Sequence, residues 1–196
     1  MVDISFTGQL YVNSLAVSNG KIYSLRHKNP TLISVQHLSG TLNLDLGASW
    51  SHPYSFYFGQ RMVVTGDNQL AVGDWQSKQI IIYSLTGQVI RRLGCPHTLT
   101  MTANMCMSSC GAGCVVISDC KAGKVVKMSL KDGAVLWSVK GVASAGGMVH
   151  HPAGLVLVAR SLTDCTTIVV LDAKDGWYTI IYMYQILNLR KSCNIE

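Results

Sequence analysis

A glycine returns in this chain with nearly the same neighbours at positions 40, 87, 133 and 176, at intervals of 47, 46 and 43 residues. Each time it closes a short polar turn that follows an apolar stretch: HLSG, SLTG, SLKDG and LDAKDG. Three of the segments that follow end on a second glycine, as DLG, RLG and VKG. Glycine held at one place in a turn marks a backbone that needs positive φ, the usual requirement of a tight hairpin. A period of about 45 residues is the length of one four-stranded β-propeller blade. A β-sandwich also has short strands at regular spacing, but it gives no reason for one turn to come back on this period.

The best-formed copy spans residues 61–94. Apolar and β-branched runs there predict strands at 61–65, 69–75, 79–85 and 88–93, with Gly66-Asp67-Asn68 and Thr86-Gly87 as turns. The first copy predicts strands at 10–17, 21–26, 31–38 and 41–46, and the third at 99–103, 114–120, 124–130 and 134–139. In the fourth they fall at 146–151, 155–160, 167–172 and 177–184. The expected organisation is a leader at 1–8, a single repeat array at 9–184 with blades 9–47, 48–94, 95–141 and 142–184, and a polar tail at 185–196. The fold class is therefore all-β, a propeller of about four blades that is either complete or part of a larger ring.

Composition agrees with a packed all-β chain. Hydrophobic residues make up 48% and charged residues 13%, against 18 glycines and 4 prolines, too apolar for disorder. The net charge of +6 permits an acidic partner, but the Lys and Arg residues are spread thinly rather than clustered in sequence. The seven cysteines are an odd number, which excludes a fully paired disulfide framework. The opening MVDISFTGQLYVNS has neither a basic n-region nor an apolar h-region, so the expectation is a cytoplasmic chain with reduced thiols. The longest apolar run, WYTIIYMYQILNL at 177–189, is too short and too polar to span a bilayer, so no membrane partner is expected.

The segment LAVGDWQSKQIIIYSLTGQVIRRLG at 70–94 resembles the NHL-type propeller repeat, and CVVISDCKAGKVVKMSLKDGAVLWSVKG at 114–141 follows the same outline. Asp74 and Asp119 stand where that family has a recurrent Asp after the second strand. The first copy lacks this Asp, and the fourth carries Arg160 near it. The segments SLKDGAVLWSVKG at 129–141 and LDAKDGW at 171–177 also resemble the quinoprotein-type repeat, with Trp137 in the place of its docking tryptophan. Both likenesses imply one architecture. The NHL resemblance implies a binding module of the kind found at the C-terminus of tripartite-motif ubiquitin ligases, where the propeller selects a protein substrate or single-stranded RNA. Four blades are fewer than such domains usually have, which implies a small closed ring, a fragment, or a ring completed by oligomerisation.

No catalytic motif is present: no nucleophile elbow, phosphate loop, dinucleotide fingerprint or HExxH. Cys106, Cys110, Cys114 and Cys120 lack a C-x2-C knuckle, and Cys114 and Cys120 would flank one strand about 20 Å apart. Neighbours in a strand such as His150 and His151 point to opposite faces. No metal site and no cofactor are expected, and the chain reads as a non-enzyme. Asp74 and Asp119 read as turn formers that bond their own backbone.

The connections between second and third strands would share one face of a propeller. They carry Arg26, Lys28, Lys78, Lys121, Lys124 and Arg160, with Asp164 opposing them and Trp75 placed to stack. These residues are the candidate partner-binding face. A protein partner is the first expectation and single-stranded RNA the second, since basic residues with an aromatic platform suit unpaired bases. A propeller lyase or quinone-dependent dehydrogenase is the third and least favoured.

Overall fold

A computed structural model describes residues 12–26, 32–37, 46–51, 61–74, 78–94, 99–100, 105–142, 145–161 and 166–182. The expected leader and tail lie outside this set. The described residues form strands and turns without a helix, so no helix among them is long and apolar enough to cross a membrane.

The strands fall into four sheets of four. The first holds β1 (Val12–Ser18), β2 (Lys21–Arg26), β3 (Leu32–His37) and β4 (Leu46–Ser51). The second holds β5 (Met62–Val64), β6 (Gln69–Asp74), β7 (Gln79–Ser84) and β8 (Val89–Gly94). The third has β9 (Met105–Ser109), β10 (Cys114–Asp119), β11 (Lys124–Ser129) and β12 (Val135–Lys140). The fourth has β13 (Ala145–His151), β14 (Leu155–Ser161), β15 (Thr166–Asp172) and β16 (Tyr178–Tyr182). Each sheet is a meander in which neighbours in sequence are neighbours in space.

Two strands lie away from their sequence-predicted places. The first strand of the third sheet is Met105–Ser109, not 99–103. The buried carboxylate of Asp119 explains the shift. It accepts from Thr100 N–H at 2.6 Å and from Thr100 Oγ1–H at 2.5 Å, and so holds Thr100 in the approach to the sheet. The last strand of the first sheet is Leu46–Ser51, not 41–46, and so runs past the expected boundary at 47. Residues 41–45 lie outside the described set.

The chain divides into two compact units, one of residues 1–64 and 68–92 and the other of residues 65–67 and 93–196. In the first unit Tyr23, Leu25, Ile33 and Val35 of one sheet pack with Met62, Leu70, Val72, Ile81 and Tyr83 of the next. In the second, Val116 and Val125 pack with Val156, Val158, Val169 and Leu171. These runs are apolar on both faces of their middle strands, as sheets stacked face to face require. One hydroxyl fastens first strands in each unit. Ser14 Oγ on β1 accepts from Met62 N–H on β5 at 3.0 Å, and Ser108 Oγ on β9 accepts from His150 N–H on β13 at 3.1 Å.

The recurrent turn has a recurrent chemistry. The side-chain oxygen of Ser84, Ser129 or Asp172 ends the third strand of its sheet and accepts from the backbone N–H two residues on, at Thr86, Lys131 or Lys174. Gly87, Gly133 and Gly176 then donate N–H back to the carbonyl of that same residue, with φ of 95°, 78° and 81°. In the second unit the glycine has a further reason to be there. A Cβ on Gly176 would sit 3.1 Å from the Trp137 ring and 3.2 Å from Val139 of the preceding sheet. Trp137 Nε1–H and the Lys127 ammonium both donate to the Ala173 carbonyl, at 3.2 and 2.7 Å, which ties the third sheet to the fourth.

Gly154 has a φ of +80° but nothing within 4 Å of an added Cβ. Gly154→Ala therefore carries only the backbone cost, about 1 kcal/mol, whereas Gly176→Ala adds the clash and is expected to lose about 2–4 kcal/mol in chemical denaturation.

Candidate functional site

Strand register makes the ends of the middle hairpins comparable from sheet to sheet. Asp74 pairs with Gln79, Asp119 with Lys124, and Arg160 with Thr167. Arg160 thus takes the position that Asp74 and Asp119 hold in the sheets before it. In the first unit Lys78 is exposed at the turn, with φ of 53°, an uncommon conformation for a residue with a Cβ. Arg26 ends β2 and its side chain is not among those described; Lys28 and Trp75 lie outside the described residues.

The second unit brings Lys121 and Lys124 onto one turn, with very different surroundings. Lys121 is exposed. Lys124 is only 8% exposed and stands opposite the buried Asp119, so it adds little to any solvent-facing charge. Asp119 also accepts from Ala122 N–H at 3.0 Å, the bond to its own turn read from the sequence, in addition to its grip on Thr100. Arg160 is half-buried.

Cys106, Cys110, Cys114 and Cys120 are free thiols. Cys110 and Cys114 flank the β9–β10 turn, where Cys110 N–H donates to the Cys114 carbonyl at 3.3 Å. No three His, Cys, Asp or Glu side chains come together among the described residues in a way that would hold a metal ion. His151 Nδ1 accepts from Ala153 N–H in its own turn.

One surface was not singled out from the sequence. Trp177 is 80% exposed and Tyr178 49% exposed, and they line a shallow open cleft of about 340 Å³ with Ser138, Lys140 and Asp175. The turn that places them is firmly built: Asp175 Oδ1 accepts from Trp177 N–H at 3.0 Å and Asp172 N–H donates to the Trp177 carbonyl at 2.7 Å. The sequence signal is the aromatic run at 177–184, where the last strand of each other copy has at most one aromatic residue.

Neither a protein family nor a curated protein matches the sequence. Solved structures do match. A catalytically inactive virginiamycin B lyase from Staphylococcus aureus, solved with quinupristin, is 13% identical with a TM-score of 0.68, over 90% of this chain and 57% of the lyase. A chain of the mitotic checkpoint complex is 12% identical with a TM-score of 0.63, over 87% of this chain and 53% of that one. The computationally designed Ika4 protein is 18% identical with a TM-score of 0.57, over 93% of this chain and 99% of the design. The chain spans little more than half the length of the lyase and checkpoint chains. At such identities the likeness is one of fold, and the four four-stranded sheets of the described residues have the architecture of β-propeller blades.

Burial pushes the Cys110 thiol up to about 11. Since the thiolate is the nucleophile, alkylation of Cys110 in the folded protein at pH 8 is expected to be about a hundredfold or more slower than after denaturation, and to accelerate as pH rises towards 11. Peptide-resolved iodoacetamide labelling reads this directly.

Proposed function

We propose that this chain is a non-enzymatic propeller module that binds a protein partner, and that the cleft at Trp177 and Tyr178 is a principal contact. The observation that carries the reading is the exposure of these two large aromatic side chains on a turn that is itself fixed by hydrogen bonds. Aromatic residues held rigidly at a surface bring large contact area at little cost in entropy, and they dominate the energetics of interfaces. The ammonium of Lys140 stands beside them for a partner's acidic or carbonyl group. The NHL-type repeat supports the reading, because its relatives select substrates for ligases whose other domains perform the chemistry. The presence of a checkpoint-complex chain among proteins of the same fold is in keeping with it.

This places the contact at the outer strand β12 and the β15–β16 turn rather than at the hairpin ends carrying Lys78, Lys121 and Arg160. The hairpin ends suit the second reading, single-stranded RNA, through the exposed Lys78 and Lys121.

Quantitative affinity purification separates the two readings. With the tagged chain as bait, proteins retained by the parent are expected to fall about tenfold or more for Trp177→Ala/Tyr178→Ala, unchanged by ribonuclease and by Lys121→Glu. Retention that survives the aromatic substitutions, but is lost on ribonuclease treatment or with Lys121→Glu, would contradict the protein reading and favour RNA.

A further inference from the structure

We propose that Cys110 and Cys114 form a redox-active dithiol, which a low-molecular-weight disulfide such as oxidised glutathione closes reversibly into a cross-strand disulfide. The site does not depend on the cleft at Trp177.

Its placement follows from strand register. Val115 pairs with Ser109 between β10 and β9, and one step further along the ladder Cys114 stands opposite Cys110. The bond from Cys110 N–H to the Cys114 carbonyl holds that step. Residues directly opposite in an antiparallel pair project to the same face, with Cα atoms about 4.5–5.5 Å apart. Native disulfides span Cα separations of about 4.4–6.8 Å. The shared face is the core face of the sheet. Cys110 belongs to the buried cluster that holds Val116 and Val156, and Cys114 packs against it.

The turn between the two is held on both sides. Leu130 N–H donates to the Gly113 carbonyl at 2.7 Å, and a Cβ on Gly66 would lie 2.9 Å from the Ala112 nitrogen. The two residues are thus set opposite each other before any bond joins their sulfurs. Among the described cysteines no other pair is so placed, since Cys106 stands opposite Ser118 and Cys120 lies beyond the far end of β10.

Exposure assigns the order of events. Cys114 is half-buried and within reach of a reagent in solvent, whereas Cys110 is 8% exposed. The Cys114 thiolate attacks one sulfur of glutathione disulfide and releases one glutathione thiolate. Cys110 then loses its proton to solvent, attacks the Cys114 sulfur of the mixed disulfide and expels the second glutathione thiolate. Two protein thiols lose two electrons and two protons, and glutathione disulfide becomes two glutathione thiols. Burial, which holds Cys110 in its thiol form, slows the second step, and the Lys127 ammonium offsets part of that effect.

Equilibration of the folded full chain in glutathione redox buffers tests this. Free thiols are trapped with iodoacetamide, the remainder are reduced and labelled with N-ethylmaleimide, and fragmentation of the tryptic peptide 93–121 locates each label. Cys110 and Cys114 are expected to oxidise together, to retain no glutathione, and to return to thiols with dithiothreitol. Their equilibrium constant with glutathione is expected to be at least about tenfold larger in the folded chain than in urea, because the fold has already closed the loop. Cys110→Ala is expected to stop at a glutathione adduct on Cys114. If that variant does not fold, the comparison of the parent folded and in urea decides. Glutathione retained on Cys114 beside a free Cys110 in the parent would overturn the proposal. So would pairing of either residue with another cysteine, or an equilibrium constant no larger in the folded chain than in urea.

Discussion

The close approach of one sheet's last turn to the outer strand of the sheet before it governs the second unit. Gly176 lies against Trp137 and Val139, and a Cβ on Gly133 would lie 3.5 Å from the Gly94 carbonyl and 3.8 Å from Leu93. The same glycines need positive φ to complete their turns. At Gly176 two independent demands thus fall on one atom position, and both are met by the absence of a side chain, whereas at Gly133 an added Cβ would make ordinary contacts and only the positive φ calls for glycine. From this contact follow the docking of Trp137 on the Ala173 carbonyl and the burial of the valine and leucine faces behind it. The rigid turn that holds Trp177 outward follows as well.

The repeat was legible because its cause is local. Ser84, Ser129 and Asp172 fold back on the turn within two residues, so SLTG, SLKDG and LDAKDG carry the geometry on their face. The middle strands were placed to within a residue for the same reason, their apolar runs being bounded by turn residues. The first strand of the third sheet was missed because its position is set by Asp119, which lies 19 residues from Thr100 in the chain. No local pattern reports a bond of that span.

The candidate residues divide on the same line. Lys121 and Lys124 look alike in KAGK, yet one is exposed and the other buried opposite Asp119, a distinction made by cross-strand register. Trp177 is the reverse case. Its hydrophobicity in sequence argues for burial, and only the turn geometry turns it outward. Arg160 is visible in the sequence as a departure from the Asp that the two preceding copies carry, but its buried Nε–H without an acceptor appears only in the structure.

Two indoles on successive sheets therefore have opposite settings: Trp137 joins sheets through the Ala173 carbonyl, and Trp177 stands 80% exposed. Solvent exchange of the indole Nε1–H signals, read by ¹⁵N-resolved NMR of the free protein, tests that division most directly. The account predicts a protected Trp137 indole, hydrogen-bonded to Ala173, and a Trp177 indole that exchanges freely with water. Equal exchange of the two, or protection of Trp177 in the free chain, would contradict it.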